Sequence, residues 1–255
     1  MSKNQIVERL VQMSKKALGG DSYTDDKAAD RFVCRNDNAW LFGVIFDQGV
    51  LYERAWKAPY VLKSRLGSLS MRRIAKTPIA DLRRAIKGVN PGEALHRYVE
   101  KLRLWLKKAA AIVVKDYGGE ASNIWRNCRT AGEVIERLDE FPGIGKKKAH
   151  MAARLLHEDK HEFSRWSEIN VPVDVHVKRV WKRTGLATDL SVVGIMHTAS
   201  ELKPNYPGEL GYPTWTIGRG WCHARRADCR GERSEDKKPC PLFTFCPKIG
   251  VVRAS

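Results

Sequence analysis

Four of the six cysteines of this chain stand in its last 34 residues, as Cys222, Cys229, Cys240 and Cys246, separated by six, ten and five residues. As thiolates, four such groups can hold tetrahedral zinc or an iron–sulfur cluster, and residue type and count do not choose between the two. The other two, Cys34 and Cys128, have no spaced partners and read as small buried apolar residues. A second concentration of chemistry is Phe141-Pro142-Gly143-Ile144-Gly145-Lys146-Lys147-Lys148. Pro142 cannot continue a helix, and the glycines permit a tight turn. Backbone N–H groups left uncovered at Gly143 and Gly145, at the positive end of a following helix that begins with three lysines, are suited to phosphate. Asp174 stands directly before a helical run, where its side chain suits an N-cap.

The charge balance points the same way. Of 255 residues, 46 are Lys or Arg and 29 are Asp or Glu, a net charge of +17 that makes a polyanion the expected partner. Hydrophobic residues at 43% and charged residues at 29% support a packed interior and exclude global disorder. The longest apolar run, Ala39 to Phe46, has eight residues, against roughly 18 for a spanning helix. Met1 to Gln12 lacks the apolar block of a secretory signal. The expectation is a cytoplasmic protein with no membrane association, whose cysteines serve metal or catalysis in place of disulfides.

Apolar residues recur every three or four positions along most of the chain, which predicts an all-α fold. The clearest stripe is Leu95, Val99, Leu102, Leu106, Ala109, Val113 and Tyr117, between the breakers Asn90-Pro91-Gly92 and Gly118-Gly119. Further helices are predicted near 3–18, 38–47, 52–65, 78–87, 130–140, 146–157, 174–184, 189–202 and 208–220. Thr130 and Glu133 have capping-box spacing. The segment 130–156 therefore reads as helix, hairpin, helix.

Phe141-Pro142-Gly143-Ile144-Gly145-Lys146-Lys147-Lys148-Ala149 resembles the helix-hairpin-helix of the endonuclease III-like DNA glycosylases, Leu-Pro-Gly-Val-Gly-x-Lys-Thr-Ala. Val173-Asp174-Val175-His176-Val177 is similar to that family's Val-Asp-Thr-His-Val, and the cysteines resemble its iron–sulfur loop of spacing six, two and five. Two departures stand out: the Cys229–Cys240 gap is longer, filled by Gly231 to Lys238, and so is the stretch between the hairpin and Asp174, around 157–172. Both read as surface insertions.

The resemblance implies a six-helix module over 38–155 and a [4Fe–4S] domain made from 1–37 and 156–255, with zinc as the alternative metal. It implies a monomeric, nucleoid-associated enzyme that removes a damaged base from double-stranded DNA. Asp174 would stabilise positive charge at the sugar carbon and help deprotonate the nucleophile. Lys147 would attack that carbon and form a Schiff base, its amine favoured in neutral form by Lys146, Lys148 and the helix N-terminus. Lys146 and Lys148 would bind phosphate. Gln48 matches the wedge glutamine that fills the space of an extruded base, although Asp47 and Gly49 replace the small residues the family has on each side. Arg219, Arg225 and Arg226 would contact the DNA backbone. Two other functions fit the scaffold: a monofunctional mismatch glycosylase, adenine- or thymine-excising, that uses water, and a noncatalytic DNA-damage-binding protein.

Overall fold

The computed structural model describes residues 3–17, 23–159, 163–233 and 237–251. Those residues are all-helical and contain no strand, only an isolated parallel bridge between Thr130 and Ser164. The helices are α1 (Lys3–Ala17), α2 (Lys27–Arg35), α3 (Asp37–Phe46), α4 (Tyr52–Leu66), α5 (Met71–Lys76), α6 (Ile79–Lys87), α7 (Val99–Asp116), α8 (Ala131–Asp139), α9 (Lys146–Asp159), α10 (Val175–Thr184), α11 (Val192–Leu202) and α12 (Gly211–Gly220). Among the described residues, no helix is long and apolar enough to cross a membrane.

The chain divides into two compact units. One comprises 20–129 and 133–152, the other 1–19, 130–132 and 153–255. In the first, α3 is apolar all round because it lies in the middle: Ala39 to Phe46 are buried, and Trp40 meets Trp56 and Trp125 edge-on at 5.9 and 5.2 Å between ring centroids. Segment 20–37, expected with the cysteine domain, belongs here instead. Asp26 caps α2 by accepting the Ala28 and Ala29 N–H groups, and Tyr23 stacks on Trp56 at 4.3 Å. These contacts tie the segment to α4, and sequence periodicity does not report them.

Helix α7 begins at Val99, not at Leu95. The stripe includes Leu95 because that side chain is buried, but its N–H donates to the Ile86 carbonyl and its carbonyl accepts from Arg54 Nε. At the start of α8, Glu133 receives the Arg129 N–H. Neither α2 nor the six-residue α5 was predicted, since α5 is under two turns and too short to show a period.

The second unit is built on Ile6 and Leu10 of α1, Val177, Val180 and Trp181 of α10, Ile195 of α11, Ile217 of α12 and Leu242. Helix α12 packs closely on α10 where Gly218 faces His176, and on the segment before α10 where Gly211 faces Pro172; a Cβ at either glycine would come within 2.7 Å of its neighbour. The Gly231–Lys238 insertion is anchored at its start by the buried Asp228, which accepts the Glu232 and Arg233 N–H groups, while 234–236 lie outside the described residues. In the other insertion 160–162 lie outside them too, and Trp166–Glu168 forms a short 3-10 turn.

Candidate functional site

The hairpin turns at Gly143, whose φ of +81° suits glycine and whose hydrogen faces the Trp105 ring, leaving no room for a Cβ. Gly145 follows, exposed, and its carbonyl accepts the Lys148 and Ala149 N–H groups to start α9. The amides of Gly145, Lys146 and Lys147 meet no protein acceptor among the described residues, so the positive end of α9 presents free donors.

The three lysines part company in one turn, since successive side chains on a helix diverge by roughly 100°. Lys146 and Lys147 are exposed, whereas Lys148 is only 7% exposed and its Nζ donates to the Ile45 carbonyl at 3.1 Å. Lys148 is thus no phosphate contact: its place on the inner face of α9, next to buried Ala149, takes it into the unit's interior. Burial lowers its amine to about 7, with the Asp47 carboxylate opposing the shift. The burial that depresses an amine in this hairpin falls on Lys148.

Gln48 sits just past the end of α3 and is half-buried. Its carbonyl is 2.9 Å from His96 Nε2, and its side-chain Nε2 is buried without a hydrogen-bond partner among the described residues. The His96 ring is neutral, because Nδ1 accepts the Tyr98 N–H at 3.0 Å and Nε2 must then carry the proton donated to Gln48. Burial pushes its pKa below the usual imidazole value.

In the second unit Asp174 is the N-cap of α10: Oδ1 accepts the His176 and Val177 N–H groups at 2.8 and 2.9 Å, and Oδ2 has no partner among the described residues. The group is half-exposed. A carboxylate fixed through one oxygen and open at the other can meet developing positive charge without reorganising. Farther along α10, Arg179 and Arg183, one turn apart, reach across to the cysteine loop. Arg179 donates to the Cys222 and Gly218 carbonyls, and Arg183 to the His223 and Ala224 carbonyls and to Cys222 Sγ. Their i, i+4 spacing was the signal available in the sequence, and the sequence reading did not use it.

Cys222, Cys229, Cys240 and Cys246 line one pocket with Val180, Ile217 and Leu242. Their thiols are not drawn into a ligand set; among the described residues no group of three or more His, Cys, Asp or Glu is so arranged. Burial pushes the Cys229, Cys240 and Cys246 thiols up, Cys240 to about 12, and the other cysteines of the pocket raise them further. A cation held by the four removes that mutual repulsion and makes thiolate the favoured form, and the Lys248 N–H already points at Cys246 Sγ at 3.3 Å. By residue type the four thiols are the donors a four-thiolate metal group needs. Cys128 is buried and Cys34 half-buried, each apart from this pocket.

Arg225 and Arg226 are exposed on the loop between Cys222 and Cys229. Arg219 is half-buried and stacks its guanidinium over the Trp215 ring at 5.2 Å.

No protein-family model matches the chain, and no curated protein sequence matches it. Solved structures do. The chain is similar to a trapped endonuclease III–DNA covalent intermediate, with a TM-score of 0.65, 19% identity and 97% of each chain covered. It is also similar to a thermostable thymine-DNA glycosylase, at 0.63, 15% and 96% of each chain. A third match is the Clostridium acetobutylicum 8-oxoguanine glycosylase/lyase in its apo-form, at 0.52 and 14%, covering 86% of this chain and 70% of that one. The likeness establishes a shared helical fold.

Proposed function

We propose, from a fold shared with endonuclease III, that this chain is a base-excision DNA glycosylase with abasic-site lyase activity. The observation that carries this reading is the hairpin: free amides at the start of α9 beside a lysine, Lys147, that stays exposed while Lys148 turns inward. Those amides and Lys146 would take the phosphates of double-stranded DNA, as would Arg225 and Arg226 on their own unit. Asp174 would stabilise positive charge at the sugar carbon as the bond to the base breaks, and would take the proton of the nucleophile. Lys147 Nζ would bond to that carbon while the base leaves with the bonding electrons. Ring opening then gives a Schiff base, from which elimination releases the 3′ phosphate.

Cys222, Cys229, Cys240 and Cys246 would hold a [4Fe–4S] cluster, or zinc in its place. Such a group would supply structural cross-linking of the C-terminal loop, and the loop presents Arg225 and Arg226. The protein would work as a monomer in the cytoplasm, on nucleoid DNA.

Borohydride trapping on an abasic duplex tests the reading. A covalent adduct with the wild-type chain, lost in Lys147→Gln, supports the lyase. Base excision with no adduct identifies a monofunctional enzyme using water, and neither activity leaves a damage-binding protein.

A further inference from the structure

The buried lysine of the hairpin has no part in that chemistry, and its contact is with the end of α3. A helix leaves its last four carbonyls without internal partners, and each needs one if it is buried. In α3 these belong to Gly43, Val44, Ile45 and Phe46, all fully or almost fully buried residues. The Asp47 N–H takes the Gly43 and Val44 carbonyls at 3.0 and 3.3 Å, and the Gln48 N–H takes that of Phe46 at 2.7 Å. The Ile45 carbonyl is left, and Lys148 Nζ takes it at 3.1 Å. A side chain 103 residues away in sequence thus completes the C-terminal cap of α3. A cation at this end also faces the negative pole of the helix and the charge of Asp47.

The turn so completed carries Gln48. Its carbonyl is held from the other side by His96, and its side-chain Nε2 is a buried donor with no partner among the described residues. We infer that Lys148 is a positioning residue for Gln48: by satisfying the Ile45 carbonyl it holds the 47–48 turn, and Gln48 with it, in one conformation, with the Gln48 amide kept unpaired until the turn meets DNA. Without that donor the Ile45 carbonyl is orphaned in an apolar interior. Recruiting another donor from the chain or admitting water then moves the turn. The adjacent Asp47, which replaces a small residue of the family pattern, supplies the negative charge that accompanies a lysine buried here.

This inference rests on the proposed glycosylase activity, and its test separates the two. In duplex DNA with 2-aminopurine beside an abasic analogue, fluorescence reports extrusion of the abasic nucleotide, the step at which Gln48 would enter the stack. Trapping on a single-stranded abasic oligonucleotide does not need that step. Lys148→Met is expected to cut extrusion on the duplex at least tenfold and leave single-strand trapping within twofold, while Lys148→Gln, which keeps a donor, recovers much of the loss. Gln48→Ala is expected to cut extrusion on the duplex as much as Lys148→Met does, and Gln48→Ala with Lys148→Met no more than either alone, since both remove one function. Additive effects, equal losses on both substrates, or an unchanged Lys148→Met overturn the positioning role. A wild-type chain that neither extrudes nor traps overturns the glycosylase reading and this inference with it. If neither Lys148 variant folds by circular dichroism, Asp47→Ala is scored on the same two substrates with the same outcomes.

Discussion

Arg183 Nη1 lies 3.3 Å from Cys222 Sγ and donates at 2.7 Å to the carbonyl of the next residue, His223. The Arg183 main-chain carbonyl accepts from Ile249 N–H and from Cys246 Sγ, so one residue of α10 reaches the first and the last cysteine of the loop. Arg183→Met keeps the apolar stem and removes the guanidinium donors. It is expected to cost about 2 kcal/mol of stability, the scale of hydrogen bonds to a charged group, and to speed reaction of the four thiols with a chromogenic disulfide. Unchanged thiol kinetics would mean that the loop is ordered without Arg183.

Lys147→Gln is expected to abolish Schiff-base trapping, because an amide cannot form the imine. Lys146→Gln should keep trapping and lower the salt dependence of binding by about one phosphate contact. Both residues are exposed, so neither change should move the melting temperature by more than a degree or two. Full trapping by the Lys147 variant would assign the nucleophile to another amine.

Asp174→Asn retains a capping oxygen for the His176 and Val177 N–H groups and should leave stability within about 0.5 kcal/mol, whereas Asp174→Ala should cost about 1 kcal/mol. Base excision should fall in both by roughly two orders of magnitude or more. Single-turnover excision alongside thermal melts separates the capping role from the chemical one. Undiminished excision by Asp174→Asn would leave this residue a cap only.

Arg225 and Arg226 are exposed on the cysteine loop. Replacing both by Ala should reduce the slope of log affinity against log salt by about two, with the metal content of the protein unchanged. The same slope as wild type would show that they face solvent in the complex.

Three bases, Lys148, His96 and His150, have pKa values lowered by burial and favour stability at higher pH, while the raised thiols of Cys128, Cys229, Cys240 and Cys246 oppose that trend once the unfolded thiols ionise. Burial holds Lys148 at about 7 against an ordinary 10.5, so across that window the unfolded chain keeps a proton the folded chain has given up, and stability rises with pH. Burial likewise lowers His96 from 6.5, so stability falls as the pH drops below that value and the unfolded imidazole charges first. Urea midpoints are expected to increase from pH 5.5 to 7.5, and between pH 7.5 and 9 the wild-type midpoint is expected to gain on that of Lys148→Met, the raised thiols acting alike in both. A midpoint that declines between pH 7.5 and 9 in the wild type, matched by Lys148→Met, would contradict the assignment.

The sequence by itself determined the elements whose period is long enough to read and whose ends carry chemical punctuation. The helices that became α3, α4, α6 and α8 to α12 follow from apolar spacing, and the hairpin from Pro142 and Gly143. Asp174 as a cap and the gathering of Cys222, Cys229, Cys240 and Cys246 in one pocket follow from residue type and spacing. Only the tertiary structure decided where each of three adjacent lysines goes. A run of identical side chains has no apolar period of its own, so its register is set by what α9 packs against, and the one donor needed at the Ile45 carbonyl draws Lys148 inward. The same reason hid α2 and the true start of α7 at Val99: each depends on a partner distant in sequence, and local pattern carries no record of it.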